Sequence, residues 1–203
     1  MAVVATGGLR ERKKAATRGA IGIAAWRLAV ERGPDNVRVE DIAEAAGVSR
    51  RTFHNYFATK EEAMAVLPAD RAERICAGLR ERPAEEPLPE ALAHLFVAEY
   101  TANRPNEALR AAVRRAASNP GLTGALDRAM LATEPPLAKA IADRTGTDVG
   151  RDLYPNLAAA AAVSALRATI AFWLNASGTP PSLRDLLARA IAETVPPAHP
   201  TQT

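Results

Sequence analysis

Residues 39–57, VEDIAEAAGVSRRTFHNYF, decide the fold class. Val39, Ile42, Ala43 and Ala46 recur at three- and four-residue spacing, which predicts a short helix over 39–46. Gly47-Val48 then supplies a tight turn, since glycine takes left-handed backbone without a Cβ penalty. Ser49 caps a second short helix reaching about residue 56, its hydroxyl placed to accept from the amide of Arg51 or Thr52. Two short helices joined by a glycine turn are the helix-turn-helix layout. Ala43, four residues before Gly47, is small where the helices touch, and Phe53, six after it, anchors the second helix to the core.

With Phe53 pointing inward and 100° per residue, the second helix sorts its side chains. Arg51 and Asn55 point directly away from the core. Thr52 and His54 lie on the shoulders, Arg50 and Tyr56 nearer the core, and Ser49 and Phe57 flank the buried side. The outward set of Arg, Asn, Thr and His suits a duplex groove, where arginine pairs bidentately with guanine and asparagine with adenine.

The charge distribution agrees. Residues 1–60 hold 11 basic against 6 acidic side chains, whereas residues 61–203 hold 15 against 17, so the net +3 hides a basic first module. The excess is densest at Arg10, Arg12, Lys13, Lys14 and Arg18, and again at Arg50 and Arg51. A basic module on a near-neutral body points to an anionic partner for that module; a solvated charged face is the alternative on charge alone.

Outward from this segment the chain reads as helical throughout. Its 203 residues include 46 alanines, the strongest helix former, and only 4% aromatics, with no period-2 runs that would mark strands. A helix over 9–32, with Ile21, Ala24, Ala25 and Leu28 on one stripe, ends at Gly33-Pro34-Asp35-Asn36. Another starts near Thr59, with Glu61 and Glu62 in its first turn, and runs to about 82. PAEEPLP at 83–89 reads as a linker.

Helices are then expected over 90–103, 105–118, 122–133, 148–176 and 182–195, with Thr133-Glu134-Pro135-Pro136 either capping a new helix or kinking the old one. The fold class is all-α: an N-terminal three-helix helix-turn-helix domain over 1–62, a connecting helix at about 59–82, and a helical domain over 84–203. The tail from 196 is expected to fray.

Several function classes have no support. The lone Cys76 excludes a disulfide scaffold or multi-cysteine zinc site and reads as a core thiol. His54, His94 and His199 stand far apart without carboxylates at ligand spacing, so no metal is expected. No phosphate-loop, dinucleotide or nucleophile-elbow motif is present, so neither an enzyme nor a cofactor is expected. No apolar run of about 18 to 20 residues suggests a membrane span, and the N-terminus lacks the order of a signal peptide, so the chain is expected in the cytoplasm.

In the C-terminal domain, Phe96, Tyr100, Met130, Tyr154, Phe172 and Trp173 are either ordinary core or the lining of a ligand cavity, with Arg114, Arg167 or Asn175 as polar partners. Residues 156–171 are almost all small or aliphatic, and Leu183, Leu186, Leu187, Ala190 and Ile191 form a second apolar stripe. Two copies could bury both stripes in a four-helix bundle.

The run from Thr17 to Glu61 resembles the DNA-binding domain of TetR-type transcriptional regulators. The resemblance rests on Thr17, Ala24-Ala25, Leu28, Gly33, Val39, Ile42-Ala43, Ala46-Gly47-Val48-Ser49, Thr52-Phe53, Phe57 and Lys60-Glu61. It implies a homodimer on an inverted-repeat double-stranded DNA operator, most simply a repressor released by a small-molecule effector. Arg50, Arg51 and Asn55 would contact bases; Thr52, His54, Tyr56 and Lys60 would contact phosphates. Thr17 and the arm of residues 10–14 would add backbone contacts, including in the minor groove.

Two positions depart from the family pattern. Arg38 stands where a capping Thr or Ser is usual, giving up the cap for a phosphate contact. His54-Asn55-Tyr56-Phe57 stands for Tyr-x-His-Phe, exchanging the Tyr and His roles. The segment SRRTFHNYF is also similar to regulators that sense fatty acyl thioesters, implying an apolar, acyl-type effector. A regulator without a small-molecule effector, or a helical binding protein or enzyme that has lost DNA binding, are the alternatives.

Overall fold

A computed structural model describes residues 6–102, 106–178 and 180–197. Eleven α-helices are found among them: α1 Thr6–Arg32, α2 Val39–Ala45, α3 Arg50–His54, α4 Lys60–Met64, α5 Leu67–Glu81, α6 Leu88–Thr101, α7 Glu107–Ala117, α8 Pro120–Leu131, α9 Glu134–Thr145, α10 Leu153–Asn175 and α11 Leu183–Thr194. No strand occurs in the described residues. The chain forms two compact units that are not contiguous in sequence: residues 1–70 with 112–129, and 71–111 with 130–203. The turn read as a linker at 83–89 therefore lies inside the second unit.

The first unit is built around α1. Ile21, Ala24, Ala25, Leu28 and Ala29 meet Val37, Ile42, Ala43, Phe53, Phe57, Ala63, Met64 and Val66, with Ala116 and Leu122 completing the core and Trp26 at its rim. Small residues let the helices approach: a Cβ on Gly22 would sit 1.9 Å from Val66 Cγ1. The single helix expected over 59–82 is instead two. Pro68 lacks an amide hydrogen and its ring clashes with the carbonyl four residues back, so the chain breaks at Ala65-Val66 and restarts with Pro68 in the first turn of α5. Thr59 caps α4: its Oγ1 accepts from Glu62 N–H at 3.1 Å, while Glu62 Oε2 accepts from the Ala58 N–H, one residue before the cap, at 2.9 Å.

In the second unit α10 packs on α9 and α11, and α11 packs on α6. Ala158, Ala159, Ala162 and Ala165 are buried on α10, against the buried faces of α9 (Leu137, Ala138, Ile141) and α11 (Leu183, Leu187, Ile191). α10 is shorter than the expected 148–176, because Asp148 and Asp152 instead close a turn, with Asp148 N–H donating to Asp152 Oδ2 at 2.8 Å. By length and composition α10 alone among the described helices could cross a membrane, contrary to the sequence reading; ten of its residues are buried in the unit's own core. Pro120, expected in a loop, begins α8; Pro105 and His199 lie outside the described residues. Thr133 and Glu134 open a separate helix, α9, which ends on left-handed Gly146.

Two arginines tie down this unit's turns. Arg144 donates to the carbonyls of Leu79, Arg82, Pro83 and Glu86, satisfying the C-terminal end of α5. Arg110, 4% exposed, spends its guanidinium on the Glu107 carboxylate and on the carbonyls of Trp173, Ala176 and Gly178 at 3.3, 3.1 and 3.0 Å. Arg82 holds Glu86, whose carboxyl it draws down to about 2, and His94 Nδ1 stands 3.1 Å from the same carboxylate. Cys76 is buried, and burial pushes its thiol up, as fits a core residue.

Candidate nucleic-acid interface

The recognition element is positioned from below. Gly47 adopts φ 66°, and the amides of Ala46, Gly47 and Val48 return to the carbonyls of Ile42, Glu44 and Ala43 at 2.9–3.0 Å. Ser49 Oγ accepts from Thr52 N–H at 3.0 Å, which settles the capping partner. Arg38 cannot accept as a cap, but Asp41 three residues on takes the Arg38 amide at 2.8 Å, so one half of a capping box survives. α3 has only five residues, too few to hold itself as an isolated helix. Its place is fixed by Phe53 and Phe57, 0% and 1% exposed, with ring centroids 5.8 Å apart. Arg18 lies over the Phe57 ring at 5.1 Å and 3.8 Å from the Asp70 carboxylate.

This packing leaves Arg51, His54 and Asn55 exposed and Thr52 and Tyr56 half-buried. Arg50, placed nearer the core by the helical wheel, is exposed and pairs with Glu40 at 3.1 Å. Arg38 is exposed as well. Lys60 is committed differently from expectation. Its Nζ donates to the carbonyls of Pro34 and Val37 at 2.8 and 2.9 Å, clamping the turn before α2. Asn119 holds the same turn from α8's entry, donating to Asp35 Oδ1 at 2.7 Å. The Thr17 hydroxyl gives its hydrogen to the Lys13 carbonyl at 2.9 Å. Residues 10–14 are the first part of α1, helical as in the expected helix over 9–32, and exposed.

The residues nominated for an effector cavity have varied surroundings. Phe96 is buried and stacks on Tyr100 at 6.3 Å, with the Arg71 guanidinium 4.6 Å over the Tyr100 ring. Arg71 is a partner that sequence spacing could not supply, because it lies on another helix. Burial raises the Tyr100 phenol above its usual value. Tyr154 donates its hydroxyl to the Pro196 carbonyl at 3.0 Å, and Met130 is half-buried on α8. Phe172 is 57% exposed, and Arg114, Arg167 and Asn175 are exposed too. Only Trp173 of the nine lines the open cleft of about 950 Å³ bounded by Thr101, Asn106, Arg110, Pro181 and Arg184. Among the described residues no three His, Cys, Asp or Glu side chains come together as a metal site.

The α11 stripe also has another use. Leu183, Leu187 and Ile191 are buried within the chain itself, not left for a second copy. On α10, Leu153, Leu157, Ser164, Ala168, Ala171 and Phe172 stay exposed along one face.

Comparison with known proteins places this geometry. Residues 23–65 match the model of bacterial regulatory proteins of the tetR family, and residues 86–198, more than half of the chain, match that of the MftR C-terminal domain. The HTH-type transcriptional regulator TcmR of Streptomyces glaucescens is 36% identical over 156 residues, covering 73% of this chain and 69% of that protein. The TetR-family repressor FadR of Thermus thermophilus, solved with lauroyl-CoA, is 26% identical, with a TM-score of 0.55 and coverage of 86% and 91%. A putative TetR-family regulator from Syntrophomonas wolfei has a TM-score of 0.60 at 18% identity, covering 89% and 94%, and shares the fold. The chain belongs to the tetR family of bacterial regulatory proteins and is a transcriptional regulator with a helix-turn-helix DNA-binding unit.

Proposed function

We propose that the chain represses transcription in the cytoplasm as a homodimer on an inverted-repeat operator and is released by an apolar, acyl-type small molecule. The observation that carries this reading is α3: a helix pinned by Phe53 and Phe57 that turns Arg51, Asn55 and His54 outward. Arg51 and Asn55 read base edges, with Arg50 exchanging Glu40 for the duplex. Thr52, His54, Tyr56 and Arg38 supply phosphate contacts. Lys60, with its ammonium on two carbonyls, supports the turn before α2 and meets the backbone only with its remaining hydrogen.

The exposed face of α10 supports dimerisation, because Leu153, Leu157 and Phe172 flank small residues that let a second helix approach. The acyl-type effector is supported by the lauroyl-CoA in the Thermus FadR structure. One observation favours a regulator without a small-molecule effector: of the nine residues expected at an effector site, only Trp173 lines the cleft of about 950 Å³.

Arg51→Ala is expected to weaken binding to the operator by about 1–3 kcal/mol and to relax the sequence preference at one position of each half-site. Titration of both proteins against the operator and a scrambled duplex checks it. Unchanged specific affinity would remove Arg51 from base contact. Addition of lauroyl-CoA to the wild-type complex separates the two readings of the effector: release supports the acyl type, and unchanged affinity supports a regulator without one.

A further inference from the structure

The turn that sets the start of α2 rests on a single 3-10 turn, Pro34–Asn36, a geometry with poorer hydrogen bonds than an α-helix. Asn36 N–H reaches the Gly33 carbonyl at 3.1 Å, and Val37 N–H reaches the Pro34 carbonyl at 3.4 Å, which is long for such a bond. Side chains from later in the same unit add to it. Lys60 takes the Pro34 and Val37 carbonyls, and Asn119, 84 residues beyond Asp35, takes the Asp35 carboxylate.

Asn119 is bonded at both ends of its amide. Its Oδ1 accepts from Leu122 N–H at 2.9 Å, capping α8, and its Nδ2 donates to Asp35 Oδ1 at 2.7 Å. One planar group therefore ties the entry of α8 to the turn before α2. The backbone on either side of it is anchored, because Ala116 and Leu122 are fully buried in the core that also holds Ile42 and Phe53. A Cβ on Gly121 would lie 3.6 Å from Glu61 Cγ, so the same corner meets the first turn of α4 beside Lys60. Asp35 itself is exposed.

What the turn holds is short. α2 has seven residues and α3 five, and α3 hangs from α2 through the bonds around Gly47. A shift of the turn is thus carried into α2 and on to the outward face of α3, and Arg38 beside the turn moves with it.

We infer that Asn119 is a positioning residue for DNA recognition: it fixes the start of α2, and through it the orientation of α3, without itself contacting the duplex. This rests on the reading that α3 contacts DNA. It gives residues 112–129 a part in binding as well as in the packing of the first unit.

Three variants of the full chain separate the latch from the cap. Asn119→Ser keeps a capping hydroxyl but is too short to reach Asp35. Asn119→Asp keeps the cap and sets a second carboxylate against the first. Asp35→Asn together with Asn119→Asp exchanges donor and acceptor, which restores the bond and leaves α8 capped.

Each variant is titrated against a duplex carrying the genomic site that the wild-type protein selects, and against a scrambled duplex. A turn without its latch has to be ordered by the duplex, so affinity for the selected site should fall about threefold in Asn119→Ser and about tenfold in Asn119→Asp. The exchanged pair should return to within about twofold of wild type. Affinity for the scrambled duplex should change less than affinity for the site, because phosphate contacts tolerate a misplaced α3 and base contacts do not. Asn119→Ser should keep the wild-type dependence on salt, since no cation is lost. Wild-type affinity in both single variants overturns the inference while DNA binding stands. An exchanged pair as weak as Asn119→Asp overturns the Asn119–Asp35 bond as the cause. Equal losses on both duplexes overturn positioning in favour of a stability role, which thermal denaturation of each variant checks independently. A wild-type protein that selects no site overturns the DNA-contact reading of α3, and this inference with it.

Discussion

Phe53→Ala is expected to cost the first unit about 3–5 kcal/mol, the range for emptying a buried aromatic site. The ring is fully buried and belongs to a core drawn from α1, α2, α3 and α4. Its loss leaves a cavity beside Phe57, whose centroid is 5.8 Å away, and six of the fifteen buried residues of that core are alanines, too short to reach into it. Denaturant unfolding followed at Trp26, which packs against this core, reads the change as a lower midpoint with unchanged slope. A loss below about 1 kcal/mol would contradict the placement of Phe53. The same substitution should reduce operator binding, since the five residues of α3 have no other anchor of that size.

Arg110→Met is expected to cost the second unit about 3 kcal/mol, the order expected when charge-assisted hydrogen bonds to backbone carbonyls are removed. Methionine keeps much of the stem's apolar packing and removes all the donors, so the change takes away the bonds to Trp173, Ala176 and Gly178 together with the ion pair to Glu107. Those carbonyls sit at the C-terminal end of α10, where no intrahelical donor reaches them. Arg110→Lys should recover little, because an ammonium cannot reproduce the planar fork that spans three carbonyls. Trp173 lies beside the lost bonds, so its fluorescence in a Trp26→Phe background reports this unit. Equal stability of the methionine variant and the parent would show that the α10–α11 turn is held by other contacts.

What could be read from residues 39–57 was local, and the local rules hold: Ser49 caps α3, Gly47 turns left-handed and Phe53 is buried. These outcomes depend on backbone sterics and on one helix face, which a sequence displays directly. Pro68 was equally visible, and giving it the weight of Gly33-Pro34 would have broken the helix expected over 59–82. Asp41 three residues after Arg38 likewise signalled the half-box that replaces the missing cap.

The second unit was less legible because an alanine-rich helix has no strong face. On α10, alanines are buried at 158, 159, 162 and 165 and exposed at 168 and 171, and nothing in the residue type separates them. The stripe at 183–191 was real but turned inward, a choice that depends on which helix lies opposite. The surroundings of the residues expected at an effector site were hidden for the same reason: Phe96 and Tyr100 stack along their own helix, and Phe172 faces out. Arg110 and Arg144, which hold this unit's turns through backbone carbonyls, gave no signal, since their acceptors lie about 60 residues away in sequence.

The central claim is that α3 reads DNA and that two copies read it together. It is tested most directly by selecting fragments of genomic DNA on the purified protein at moderate salt and sequencing what is retained. The account predicts enrichment of one site whose two half-sites are inverted repeats, about 10 base pairs or a multiple of that apart, and loss of the enrichment in Arg51→Ala. Retention of all fragments alike, with no site above the non-specific background, would contradict it.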